Sequence, residues 1–194
     1  MHFRNVTVAD MASAREARAK KQAEFLNAYR LPLVCFSLNI PGSVKTNRLY
    51  EWAFEAGVVR IHAACLKNDF EIASSREVRI FTGYEYYAAI HANVFALKEA
   101  MVQIEEADAL GRIFDIDVLA PISCKSAETI NGNRSAKSNT TTFSNKITRA
   151  HIDKQERTCL LCNGNAHECA RSRAHSVTEL VAAIDTIIRQ CRTI

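Results

Sequence analysis

No run in this chain of 194 residues approaches the roughly 20 uninterrupted apolar residues that cross a bilayer; the nearest, Val177 to Ile188, carries Glu179 and Asp185. A membrane-spanning helix is not expected, and a soluble protein with no membrane partner is. The segment Met1 to Gln22 lacks the apolar centre of a secretory signal. It is dense in Arg and Lys, with Asp10 and Glu16 among them, and reads as part of the mature fold. Nor is there a large excess of one charge: 25 Lys and Arg stand against 21 Asp and Glu, a net charge of +4. That balance suits an anionic ligand without demanding nucleic acid. A disulfide framework is missing too. The 7 cysteines are odd in number, and Cys35, Cys65, Cys124 and Cys191 are scattered through a chain long enough to bury a core without covalent staples. A reducing cytoplasm is the expected setting, where the sequons at Asn5, Asn133 and Asn139 carry no sugar. No repeat of fixed period is present, and with 48% hydrophobic residues the length fits one domain over residues 1–194.

What is present reads as alternating helices and strands. Strong helix formers with an apolar stripe of Ala14, Ala17, Phe25 and Leu26 predict a helix over Ala9 to Tyr29, closed by Pro32. Leu33 to Ile40 is β-rich and ends in the turn dipeptide Pro41-Gly42. Leu49, Trp52, Ala53 and Ala56 recur at helical spacing, which predicts a helix from Val44 to Ala56 stopped by Gly57. Val58 to Leu66 fits helix or strand, and Val78 to Phe81 is extended. Ile90 to Ala107 is helical by pattern, and Arg112 to Leu119 alternates as a strand does. Residues 125–150, rich in Ser, Thr and Asn, are expected to form a long exposed loop inserted in the domain. Ser176-Val177-Thr178-Glu179 has the form of a capping box and opens a final amphipathic helix to about Arg189. The expected fold class is α+β: a small mixed or antiparallel sheet covered by helices, with a cysteine cluster and a helix at the C-terminal end.

Residues two apart on a strand face the same side, so Asp115 and Asp117 should project together, about 6.6 Å apart, while Phe114, Ile116 and Val118 pack behind them. Like charges so placed repel unless a cation joins them, and Mg²⁺ commonly takes one or two carboxylates plus substrate phosphates. The competing reading is a strand with one wet face. Gly111-Arg112 immediately before the strand favours the cation, because Gly admits close backbone approach and Arg pairs with phosphate. Gly42, Ser43 and Lys45 lie where a strand passes into a helix, a place where free N–H groups attract anions. The glycine spacing of a Walker A loop is absent there, and an ordinary Pro-Gly turn fits equally well. Arg15, Arg18 and Gln22 share one helix face, either solvated or anion-binding. Cys159, Cys162, Cys169 and His175 form the pattern C-x2-C-x6-C-x5-H, four ligands suited to structural Zn²⁺, with small core cysteines as the alternative. Arg171 and Arg173 either rim a phosphate site or cover a helix end.

Four blocks together resemble the holo-citrate-lyase synthase family, also called apo-citrate lyase phosphoribosyl-dephospho-coenzyme A transferase. They are Ala14-Arg15-Glu16-Ala17-Arg18 with Gln22; Asn39 to Lys45; Leu110-Gly111-Arg112-Ile113-Phe114-Asp115-Ile116-Asp117-Val118; and Cys159-Leu160-Leu161-Cys162 continuing from Cys169 to Ser176. Their order and spacing match over nearly the whole chain outside the polar insert. The resemblance implies nucleotidyltransferase-like transfer of triphosphoribosyl-dephospho-coenzyme A to a serine of the acyl carrier (gamma) subunit of citrate lyase, with release of diphosphate. It casts Asp115 and Asp117 as Mg²⁺ ligands, and Lys45 and Arg112 as cations that neutralise the triphosphate and its leaving diphosphate. The chain departs from the family pattern at Tyr84, where proline is frequent, at Asp108-Ala109, where His-Pro is common, and in the long link from Leu119 to Cys159.

Two other readings compete. A zinc-stabilised module could bind nucleic acid or protein through its basic residues, but it leaves Asp115 and Asp117 unexplained and has no aromatic residues beside Arg171 and Arg173. A related synthase for malonate decarboxylase would share the chemistry and serve a different carrier; the Asn39 to Lys45 and cysteine blocks favour citrate lyase.

Overall fold

The structure, a computed structural model, describes residues 4–121 and 145–193. It is α+β. Helix α1 (Val8–Tyr29) is opened by a capping box in which Thr7 Oγ1 accepts from Asp10 N while the Asp10 carboxylate accepts from Thr7 N. Strand β1 (Leu33–Leu38), helix α2 (Arg48–Lys67), the hairpin β2 (Glu71–Ile80) and β3 (Gly83–His91), helix α3 (Val94–Glu106) and strand β4 (Phe114–Leu119) follow. After the undescribed segment come β5 (Lys146–Ile147), α4 (Ala166–Ser172) and α5 (Val177–Arg192). The sheet order is β2-β3-β1-β4-β5, and every neighbouring pair is antiparallel. No helix among the described residues is long and apolar enough to cross a membrane.

The period-2 alternation divides the sheet between two unequal cores. Val34, Phe36, Tyr86, Ala88, Ile90, Ile116 and Val118 face Phe54 of α2, Leu97 and Met101 of α3, and Ile184 and Ile188 of α5. Leu33, Cys35, Tyr87, Ala89 and Leu119 face the opposite way and meet Phe25 and Leu26 of α1, with Leu31 and Val78 packed at the margin. The second core therefore fills one end of its face. Beyond it the same face continues through Ser37, Glu85 and Asp115, where α1 offers polar side chains.

Several sequence expectations are corrected. Helix α2 starts after the Asn47 cap, whose side chain accepts from Tyr50 N at 2.7 Å, and runs through Gly57 to Lys67. The Val58 to Leu66 stretch is thus helical. Gly57 is no stop: it is buried in mid-helix, and a methyl group there would overlap the Phe36 ring. Glycine lets α2 lie close against β1. Gly57→Ala is accordingly expected to destabilise the fold by about 1–3 kcal/mol through overpacking. Urea unfolding measures this, and an unchanged midpoint would mean that α2 can lift off β1 freely.

Ile90 and His91 end β3 rather than begin a helix; Asn93 caps α3 by accepting from Phe95 N and Ala96 N at 3.0 and 3.2 Å. Arg112 lies in a 3-10 turn over Gly111–Ile113, so the strand begins at Phe114. The expected loop over 125–150 lies mostly outside the described residues, but its last part is structured. Lys146–Ile147 pairs with β4, Ile147 is buried, and Arg149 turns inward onto α3. Lys146 and Arg149 form ion pairs with Asp117, Glu105 and Glu106, which a composition count reads as solvent exposure.

Candidate functional site

The register of β4 against β1 sets Asp115 opposite Ser37 and Asp117 opposite Cys35, while β3 sets Glu85 opposite Ser37 on the other side. Asp115 and Asp117 therefore project from the same face, as the alternation predicts, into the part of the sheet that the second core leaves uncovered. Arg18 of α1 reaches this face: its Nε and Nη2 donate to Glu85 Oε1 at 3.0 and 2.9 Å. Tyr87 OH donates to the other Glu85 oxygen at 2.6 Å, so the buried carboxylate is fully engaged. Asp117 is paired with Lys146 Nζ at 2.7 Å. Asp115 has no hydrogen bond or ion pair with any described residue.

Asp115 is reached by solvent, yet protein surrounds its carboxyl on several sides. Desolvation, and then the charge of Asp117, push its pKa up from the ordinary carboxylate value. A folded-state pKa above the unfolded one means that the native state binds more protons in the interval between them, so stability falls as pH rises through that interval. Asp115→Asn is therefore expected to melt higher than the parent protein at neutral pH, with the gap closing as pH falls toward the ordinary carboxylate value. Thermal melts across pH check this; a lower melting point at neutral pH would contradict it.

Arg18, Ser37, Lys45, Tyr84 and Asp115 line one small cavity of ≈ 180 Å³. Lys45 Nζ donates to the carbonyl of Ile40, and desolvation lowers its pKa. It is carried by the Pro41-Gly42 turn, where Gly42 has φ +79, a left-handed conformation that favours glycine. A Cβ at Gly42 would also lie 3.1 Å from Val177 Cγ1, so the turn leans on the start of α5. Tyr84, one of the departures from the family pattern, packs its ring on Phe54 with centroids 5.5 Å apart.

The acidic strand is held from behind. Because β5 pairs only with Val118 and Leu119, the rest of the outer edge of β4 would be bare. Side chains close it: Glu105 Oε1 accepts from Ile116 N at 2.9 Å, Lys98 Nζ donates to Ile116 O at 3.0 Å, and Arg157 donates to Phe114 O. Glu105 in turn pairs with Arg157 at 3.0 Å and Arg149 at 2.7 Å. Gly111, buried before the strand, is required by packing, since a Cβ there would overlap the carbonyl oxygen of Ile104 and lie 3.0 Å from that of Glu105. Asp108 ties this turn down by accepting from Gly111 N at 2.9 Å and by binding Arg60 through both oxygens.

A larger cleft of ≈ 800 Å³ meets the small cavity at Asn39, which lines both. Arg112 lines this cleft, and its Nη2 donates to Thr158 Oγ1 at 3.2 Å and to the Cys159 carbonyl at 2.8 Å. Arg173 and His175 line it as well. The ligand atoms of Cys159, Cys162, Cys169 and His175 all lie within 4.8 Å of one another. The Cys162 thiol is lowered to about 6, first by the backbone N–H of Gly164 and then by His175.

The structure thus gathers Arg18, Lys45 and Asp115 around one cavity, with Asp117 the next residue along the same strand face. Arg112 and Arg173 belong to the larger cleft, where Arg112 is bound to the Cys159 carbonyl. Arg15 and Arg171 are exposed and line neither cavity. Sequence reasoning misses Glu85, Lys98, Glu105, Lys146 and Arg157. Glu85 carries a local signal, a charge inside the otherwise apolar and aromatic strand Tyr84–Ile90; Lys146 sits in a segment whose composition conceals it.

An α+β fold with an antiparallel five-stranded sheet thus opens its acidic strand into a cavity lined by Arg18 and Lys45, with charges of both signs side by side. The chain belongs to the apo-citrate lyase phosphoribosyl-dephospho-CoA transferase family, whose model matches residues 6–131 and 139–191. Residues 132–138, in the long link from Leu119 to Cys159, fall between the two matched stretches. Similar proteins include a probable apo-citrate lyase phosphoribosyl-dephospho-CoA transferase of Vibrio cholerae, 32% identical over 93% of this chain and 90% of that protein. The enzymes so named from Citrobacter koseri and Escherichia coli are 27% and 26% identical over 94% of this chain and 88% of theirs.

Proposed function

We propose that this chain transfers the prosthetic-group precursor triphosphoribosyl-dephospho-coenzyme A to a serine of the citrate lyase acyl carrier (gamma) subunit, releasing diphosphate. The observation that carries the proposal is Asp115, unpartnered among the described residues and set beside Asp117, in a cavity that also receives Arg18 and Lys45. Family membership over nearly the whole chain supplies the substrates. The reaction is of the nucleotidyltransferase type. The serine oxygen forms a bond to the phosphorus nearest the ribose, the bond from that phosphorus to the diphosphate oxygen breaks, and the serine proton passes to solvent. A new phosphodiester and free diphosphate result.

A carboxylate without a described partner, with a second one beside it on the same strand face, suits a hard divalent cation, so Asp115 and Asp117 would hold Mg²⁺. When bound, the ion would polarise the attacked phosphate and offset developing charge. Lys45 and Arg18 orient the triphosphate within the small cavity. Arg18 is itself positioned by Glu85, which sets how far its guanidinium extends over the sheet. Arg112, with Arg173, borders the larger cleft, whose size suits the remainder of the donor. The free thiols of Cys35 and Cys65 fit a reducing cytoplasm.

The test is diphosphate release from the purified chain with triphosphoribosyl-dephospho-coenzyme A, Mg²⁺ and the apo carrier subunit. Release is expected only when all three are present. Diphosphate formed equally well without the carrier would identify a hydrolase instead.

A further inference from the structure

We propose that Cys159, Cys162, Cys169 and His175 bind one structural Zn²⁺ that fastens the wall of the larger cleft to the start of α5. The four groups come from three separate local elements: the bend after Thr158 supplies Cys159 and Cys162, α4 supplies Cys169, and the residue before the Ser176 cap of α5 supplies His175. Their ligand atoms converge within 4.8 Å, with Cys162 Sγ 3.4 Å from Cys169 Sγ and 3.2 Å from His175 Nε2. A tetrahedral zinc with bonds of about 2.3 Å to sulfur and 2.0–2.1 Å to nitrogen places its ligand atoms roughly 3.5–3.8 Å apart. The observed spacing is close to that figure.

A disulfide explains the arrangement less well, since it would use two sulfurs and leave a third cysteine and an imidazole pointed at the same spot without purpose. Packing explains it less well again: Cys162 is exposed, and Cys169 and His175 are only half-buried. The surrounding backbone is shaped for the cluster. Thr158 and Asn165 form a β-bridge, Cys159 N donates to Gly164 O at 2.6 Å, and Asn163 takes a left-handed φ of 59 to turn the chain between them.

The position of the cluster joins two parts of the molecule. On one side Cys159 is linked through its carbonyl to Arg112, which stands directly before the acidic strand. On the other side His175 precedes α5, whose Val177 supports the Gly42 turn that carries Lys45. One zinc would hold both connections in register, although no residue of the Asp115 cavity touches it.

Elemental analysis of the purified full chain, dialysed free of loose metal, is expected to find about one zinc per chain. Reconstitution with Co²⁺ after zinc removal should give the intense visible bands of a tetrahedral thiolate site. Cys162→Ser and Cys169→Ser should each lose most of the bound metal, whereas His175→Cys, which keeps four ligands, should retain it. Should the Ser variants fail to fold, the cobalt spectrum of the parent protein and the metal content of His175→Cys decide the matter alone. Metal-free protein as purified, with Cys162 and Cys169 either oxidised to a disulfide or freely titrated by a thiol reagent in the folded state, would overturn the proposal.

Discussion

Replacing Asp117 with Asn is expected to abolish transfer while the protein stays folded, and Asp115→Asn should do the same. Asn keeps the size of the side chain and removes its charge, so no cavity opens behind it. The loss should be on the order of 10²-fold or more in rate, by analogy with removing one electrostatic contact made to the transition state. The folded state has little reason to suffer. The Asp117–Lys146 ion pair is partly exposed on both sides, and such pairs contribute only about 0–1 kcal/mol. Asp115 has no described partner to lose and is relieved of repulsion. A transfer rate near that of the parent protein in both variants would show that the acidic strand merely has a wet face.

The largest effect on stability is expected at Glu105, which is 4% exposed and serves Ile116 N, Arg149 and Arg157 at once. Glu105→Ala leaves a backbone donor without its acceptor and two guanidinium groups without their shared anion. Breaking a buried pair in this way costs about 3–5 kcal/mol. Urea unfolding should show that loss, and the surviving folded fraction should transfer slowly because β4 is no longer pinned along its outer edge. A change below about 0.5 kcal/mol, the range of ordinary surface substitutions, would mean that β5 and the sheet alone hold the strand.

Much of this is legible in the sequence, for reasons that differ by element. Helix α5 is legible because its start is written locally, in the Ser176 to Glu179 box, and its apolar stripe is strong. The β4 strand is legible because Phe114 to Val118 alternates strictly. Gly57 misleads because a helix stop and a close helix–sheet contact use the same residue, and only the distant Phe36 distinguishes them. Ile90 and His91 read as helix because Tyr84 to Ile90 is buried on both faces toward its end, which erases the alternation that marks a strand. Lys146 and Arg149 are lost in a polar stretch, since composition cannot tell a solvated charge from one reaching a carboxylate. The candidate site divides in the same way. Asp115 and Asp117 can be paired by spacing alone, but Glu85 as the anchor of Arg18, and Glu105, Lys98 and Arg157 as the clamp on β4, depend on tertiary contacts that no local pattern carries.

The most direct measurement of the central claim is the intact mass of the apo carrier subunit after incubation with this chain, triphosphoribosyl-dephospho-coenzyme A and Mg²⁺, run beside Asp117→Asn. The account predicts that the parent protein shifts the carrier by the mass of the donor less diphosphate, on one serine, and that the variant leaves it unshifted. A carrier that keeps its original mass with the parent protein, or one modified equally by the variant, would contradict it.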